Sequence, residues 1–309
     1  MRFKSTSPQN VNWLKYGGII LIGFVFLVFL GILLFSSISM PIFGKCVAVV
    51  NIDSEISSRS TPQSLFADSI PGSEEIAKSI EELDSRDDVA SVLLVVDSPG
   101  GSVVGSQEIY RAVKNLDKPK VAYFRESAAS GAYYISTGTD YIISEPSALT
   151  GSIGVIMTLA DLSGLFEKIG YNMTDVISGE SKDMGTPSRP LTQKERAILQ
   201  SLVDEIFQDF RSVVVQNRGS RLNMQKFEEI LDGRVVSGKQ AKEIGLVDAL
   251  GSKEDAIMQA AQLGNITDSE PRLCVVSPSS GSQGLFGMNS LLRGLVFGEA
   301  QKKVSIRYE

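Results

Sequence analysis

The sequence predicts an α/β domain carried behind one membrane-spanning helix. Three observations predict it. Short, uniformly apolar runs alternate with helical patterns. A 19-residue apolar stretch at 17–35 carries no charge. A 309-residue chain with 43% hydrophobic and 21% charged residues has a globular composition and ample material for a large core.

The span comes first in the chain. Residues 16–44 hold no charged side chain. At a rise of about 1.5 Å per residue, GGIILIGFVFLVFLGILLF at 17–35 crosses most of a ~30 Å hydrocarbon layer. A cleaved signal peptide is the alternative, with small residues at 36–39, but its apolar region usually runs only ~7–15 residues. The segment therefore reads as a retained anchor over 17–38, behind a short tail at 1–16. Arg2, Lys4 and Lys15 precede the span and the first acid is Asp53. The positive-inside rule then puts the tail in the cytoplasm and everything after the anchor outside, at a cell (inner) membrane. No ATP is supplied there, so the expected chemistry is ATP-independent.

The elements of the main domain, 46–276, follow in order. CVAVVNI at 46–52 reads as a buried strand. Residues 53–72 are polar with Pro62 and Pro71, a loop. Ser73, followed by Glu74 and Glu75, caps a helix with Ile76, Ala77, Ile80 and Leu83 on one face. VASVLLVV at 89–96 is a second strand, a helix covers 106–116, and VAYF at 121–124 is a third strand. Further strands are expected at 141–143 and 154–157. Strands apolar throughout are strands covered on both faces, as in parallel sheets. Thr192-Gln193-Lys194-Glu195 is a capping box. It opens a long amphipathic helix with Ile198, Leu202, Ile206, Phe210 and Val214 at helical spacing. Residues 233–251 are turn-rich with a short helix at 239–244. The Ser/Gly-rich stretch that begins 277–309 marks a tail outside the core.

Composition excludes much. There is no histidine, so a Ser-His-Asp triad, a Cys-His dyad and any histidine-ligated metal are impossible. Cys46 and Cys274 cannot build a four-cysteine zinc site, and we read them as unpaired, since sequence separation says nothing of distance. No metal and no cofactor are expected. Beyond residue 15 the chain holds 27 basic and 36 acidic residues, which is no nucleic-acid footprint.

Two places invite chemistry. The second strand ends in Asp97-Ser98-Pro99-Gly100-Gly101, where paired glycines allow unusual backbone angles and let N–H groups face a developing oxyanion. The reading without chemistry is a tight strand-to-helix turn. After the third strand, Ala128-Ala129-Ser130-Gly131-Ala132 sets a serine among very small residues. Read alone it is close helix packing; as a nucleophile it needs a base. Without histidine that base is a lysine kept neutral by an enclosed setting, since burial lowers a lysine pKa by up to ~3–5 units. Sixteen lysines are available and spacing does not choose among them; Lys182 sits in a loop punctuated by Gly and Pro.

Five segments carry a resemblance: DSPGGS at 97–102, AASGAYYIS at 128–136, TGSIGV at 150–155, SGESKDMGTPSR at 178–189 and GRVVSGKQAKEIGLVDALG at 233–251. In this order, over about 46–262, they resemble the signal peptide peptidase A family of serine proteases in its short single-domain form. The resemblance implies a Clp protease/crotonase-like spiral of ββα units behind the membrane helix. It implies Ser130 as nucleophile, Lys182 as general base and Ser152 as the residue that orients the lysine. It places the oxyanion hole at Gly100, Gly101 and Gly131. It implies a homo-oligomeric ring in which the lysine comes from a neighbouring subunit, and a membrane-bound endopeptidase acting on hydrophobic peptides, the signal peptides cleaved from secretory precursors. Many members have Gly-Gly after the serine; here it is Gly131-Ala132, and the added methyl is expected to narrow the pocket or shift the turn. Three rival readings remain: a protease of membrane proteins such as the partner of stomatin-like proteins, a non-catalytic membrane scaffold, and an acyl-CoA enzyme, whose cytoplasmic substrate the anchor opposes.

Overall fold

A computed structural model describes residues 26–28, 30, 44–61, 69–276 and 278. The chain forms two compact units, Met1–Gly44 and Lys45–Glu309. The expected tail at 1–16 and most of the expected anchor at 17–38 lie outside the described residues; Phe26, Leu27, Val28 and Leu30 are helical and exposed. Among the described residues no helix is long and apolar enough to cross a membrane. The tail at 277–309, apart from residue 278, also lies outside them.

The second unit is built on an eight-stranded sheet. Its strands are β1 (Cys46–Ile52), β2 (Val89–Ser98), β3 (Lys120–Ala129), β4 (Tyr141–Ser144), β5 (Leu149–Gly151), β6 (Val235–Ser237), β7 (Ala249–Leu250) and β8 (Leu273–Val276). The main path runs β6-β5-β3-β2-β1-β8, with β4 pairing β3 and β7. Every pair is parallel except β5 with β6. The uniformly apolar strands are indeed covered on both sides. Val92, Leu94 and Val96 of β2 enter one core, and Leu93 and Val95 enter the other, as a two-residue period requires. The larger core is closed by α1 (Ser73–Glu81), α2 (Val103–Asn115) and α3 (Gly131–Ser136), the smaller by α8 (Lys253–Leu263).

Between these elements lie α4 (Ser163–Lys168), α5 (Gln193–Arg218), a 3₁₀ turn (Gly219–Arg221), α6 (Met224–Glu229) and α7 (Gly238–Ile244). The capping box of α5 forms as expected, with Glu195 N–H on Thr192 Oγ1 and the Glu195 carboxylate on the Thr192 N–H. Its apolar stripe is only half used. Phe210 and Val214 are buried, whereas Leu202 is 44% exposed. The far end of α5 is fixed by Arg218, whose guanidinium donates to both Asp248 oxygens at 2.9 Å and to Gly245 O.

Four expectations need correction. Gly72, not Ser73, is the N-cap of α1; its N–H donates to Glu75, and Ser73 is buried with its hydroxyl on Glu108. Residues 154–157 form no strand, and Ile156 is 91% exposed. Strands β5, β6, β7 and β8 went unseen because two to four residues show no period. Cys46 and Cys274 are joined in a disulfide, Cα to Cα 6.0 Å. The first and last strands of the sheet lie side by side, with Ala48 opposite Cys274. That pairing brings together two residues separated by 228 positions.

Candidate active site

The site grows from one end of β2, β3 and β5. β3 pairs with β5 through Ala129 opposite Gly151, and the next residue on each strand is a serine. Ser130 N–H donates to Gly151 O at 2.9 Å, and Ser152 N–H donates to Arg234 O at 3.0 Å. Ser130 has φ 53° and Ser152 φ 50°; among the described residues Asn265 is the one other non-glycine with positive φ. Such backbone costs about 1–3 kcal/mol per residue and persists where its surroundings enforce it. Here the ladder on one side and α3 on the other do so: Tyr134 N–H, one turn into α3, donates to Ser130 O at 2.9 Å. The hydroxyl of Ser130 is thereby held at a sharp strand-to-helix turn at the edge of a cleft.

The Gly100-Gly101 turn faces that serine. Gly100 has φ 101°, and a Cβ there would stand 2.7 Å from Gly131 N, 2.8 Å from Ala129 O and 2.9 Å from Ser130 Cβ. Gly101 has φ 148°, and a Cβ there would collide with Ile56 O. Ile56, in the stretch read as plain loop, pins this turn from outside: its N–H donates to Gly100 O at 2.8 Å and its carbonyl accepts Ser102 N–H at 2.7 Å. The three glycine amides are not equivalent. Gly100 N–H donates to Ser98 Oγ at 3.2 Å. Among the described residues, Gly101 and Gly131 N–H donate to no protein acceptor. Both glycines line the cleft with Ser130.

The walls of that cleft are largely apolar: Val103, Tyr134, Val155, Ile206 and Phe210, with Ser106 and Gln107 as polar members. Burial pushes the Tyr134 phenol above its ordinary pKa, so it stays neutral at physiological pH. Sequence reasoning missed these walls. Tyr134 sits one turn after Ser130, and Phe210 belongs to the apolar stripe of α5, so helical spacing was the available signal. Ala132 is fully buried in the core and does not line the cleft. Its methyl therefore fills the core and does not narrow the pocket.

Lys182 lies elsewhere. It is exposed, in a turn, and borders a separate hollow with Asp175, Ile177, Asp183 and Thr186. No residue of that hollow borders the Ser130 cleft. The structure thus brings together Ser130, Ser152 and the three glycines, and leaves Lys182 apart from them within one chain. The surrounding segment is apolar and uncovered: Ile156, Leu165, Ile169 and Val176 are all more than half exposed, Val176 by 98%.

Comparison with known proteins follows this geometry. The family model described as "Peptidase family S49" matches residues 112–267, and that described as "Clp protease" matches 69–147. A candidate protease of Methanocaldococcus jannaschii is 40% identical over 215 residues, 69% of this chain and 68% of that protein. A candidate signal peptide peptidase of Enterococcus faecium is 40% identical over 183 residues, 58% of this chain and 53% of that one. Among solved structures, a membrane-bound stomatin-specific protease superposes with a TM-score of 0.48 at 14% identity, covering 77% of this chain and 100% of that chain. The Clp protease-like α/β fold expected from the motifs is therefore the fold the chain has. A strained serine beside unengaged amides and the S49 match over half the chain lead to one assignment: the chain belongs to peptidase family S49, the signal peptide peptidase A family of serine peptidases.

Proposed function

We propose that this peptidase is a membrane-anchored endopeptidase that degrades signal peptides released from secretory precursors, with Ser130 as nucleophile and Lys182 of a neighbouring subunit as general base. The observation that carries the proposal is the strained Ser130 turn with two free amides, Gly101 and Gly131, beside an apolar cleft. Such a cleft suits hydrophobic peptides. Donors fixed where negative charge develops are what acyl transfer requires.

Neutral Lys182 takes the Ser130 proton as Oγ bonds to the scissile carbonyl carbon. The carbonyl π pair moves onto oxygen, where the Gly101 and Gly131 amides hold it. Collapse breaks the C–N bond, and the Lys182 ammonium gives its proton to the leaving amine. A water, deprotonated by the same lysine, then cleaves the acyl ester and restores Ser130. Ser152, one residue past the paired Gly151, is suited to hold the incoming amine.

The lysine segment supports a shared site. Its apolar side chains are left exposed, as an interface between subunits would need, and exposed patches of this kind mark association surfaces. The disulfide supports an extracytoplasmic domain, since such bonds persist in oxidising compartments. The chargeless 17–35 stretch supports the anchor.

The test is peptide hydrolysis by the full chain in detergent. Ser130→Ala and Lys182→Ala should each be inactive, and the two mixed before assembly should regain activity through composite sites. Activity retained by either single variant would sink that residue's role. Two dead variants that stay dead on co-assembly would place the dyad within one chain. Faster cleavage of an intact membrane protein than of a signal peptide would reassign the substrate.

A further inference from the structure

Lys182 is flanked by two acids, Glu180 and Asp183. A carboxylate beside an ammonium favours its charged form, and a charged lysine is no base. Both acids are engaged by other cations. Glu180 accepts from Lys194 Nζ at 2.6 Å. Asp183 Oδ2 accepts from Arg189 Nε at 3.0 Å, with Nη2 2.9 Å from Oδ1. The same guanidinium donates to both oxygens of Glu195, at 2.9 and 2.6 Å, and to Pro190 O at 3.2 Å.

Glu195 makes this anchor firm. It is 3% exposed, lies in the first turn of α5 and also accepts the Thr192 N–H at 2.9 Å. Its Arg189 partner, helped by that amide, holds its carboxyl down to about 2, so the anchor is ionised at every working pH. Asp175, on the rim of the lysine hollow, is the other acid there. The Lys182 N–H donates to Gly179 O at 2.9 Å, and among the described residues its Nζ donates to no protein acceptor.

We propose that Arg189 is the positioning residue of the lysine: it locks the turn that carries Lys182 onto the buried carboxylate of α5 and keeps Asp183 from pairing with the Lys182 ammonium. The proposal rests on Lys182 being the general base. Arginine suits the task because its planar fork reaches two carboxylates at once, which a lysine point charge does not.

The experiment measures kcat, KM and melting temperature of the full chain in detergent across pH. The variants are Arg189→Gln, Arg189→Lys, Arg189→Gln with Asp183→Asn, and Lys182→Ala. Arg189→Gln should lower kcat about 100-fold, as a misplaced catalytic group does, with KM changed less than about threefold. Its pH midpoint should move up by about one unit, because the freed Asp183 pairs with Lys182. Adding Asp183→Asn should return the midpoint and leave kcat low, and Arg189→Lys should fall between. Should Arg189→Gln fail to fold, Arg189→Lys decides by the same readouts. A lower melting temperature with wild-type kcat and midpoint would make Arg189 a structural brace and overturn the proposal. Active Lys182→Ala would sink the general base itself; inactive Lys182→Ala with unaltered Arg189 variants would sink the positioning role alone.

Discussion

Ser130 ends a strand whose first five residues are buried, between two cores. Lys182 follows a stretch, 156–180, in which nearly every side chain meets solvent. The serine side has its geometry imposed by close packing, and a shift there must move the sheet. The lysine side has its geometry imposed by ion pairs, the Leu162–Pro187 backbone contact and a Phe166–Tyr171 edge-on ring pair. A region so poor in buried contacts is one that opens at low cost. One half of the site is finished by folding; in the proposed function the other is finished by association.

The sharpest break of this comparison uses two glycines. Gly100→Ala forces a methyl into the Ser130 turn at 2.7–2.9 Å, displaces the amides and should reduce activity by at least the 10²–10³-fold that about one lost oxyanion donor costs. Gly179→Ala, with nothing within 4 Å, should hydrolyse peptide like wild type. Equal losses would mean that both halves are packed alike. Next in size is Arg218→Met. The ion pair with Asp248 is buried, with 1% of the Arg218 side chain exposed; Asp248 keeps Arg221 Nε at 3.3 Å and the Ile142 N–H at 2.8 Å, so the loss in denaturant unfolding should stay below the about 3–5 kcal/mol of a fully orphaned buried charge. Removing the disulfide with Cys46→Ser and Cys274→Ser should cost about 2–5 kcal/mol of the same stability.

Acid sharpens the contrast more gently. The folded value of Glu195 is about 2 against an ordinary 4.5. A depressed carboxyl stabilises fully above the higher value and loses that contribution as pH falls toward the lower one. Between those limits, limited proteolysis should first cut within 156–180, with β1 to β3 still protected; simultaneous loss of both would erase the distinction. Smallest of all, Val176→Ser should change monomer stability by no more than about 0.5 kcal/mol, yet weaken assembly in sedimentation. Unchanged sedimentation would remove Val176 from the proposed interface.

The same contrast decides what was legible in the sequence. β1, β2 and β3 announce themselves because burial on both faces writes an unbroken apolar run. The Thr192 box of α5 is local and was readable as such. The small residues around Ser130 marked a crowded spot, but read alone they meant close packing, and the nucleophile came from the family resemblance. What stayed hidden depends on partners remote in the chain. Ile56 acts through its backbone on Gly101, so its side chain gave no sign. Cys46 meets Cys274 only through the β1–β8 pairing. The stripe of α5 promised a core face over its whole length, but periodicity does not say whether the cover comes from the same chain. Arg189 was one charge among many until its three partners were seen together.

The Cys46–Cys274 bridge turns nearly the whole peptidase unit into a covalent ring. A backbone cut inside that ring opens it without releasing a fragment. Both new ends stay attached to whatever precedes Cys46. Should a copy of this enzyme nick the exposed stretch beside Lys182, the product would gain only one water and stay in one piece, and the wound would show only after reduction.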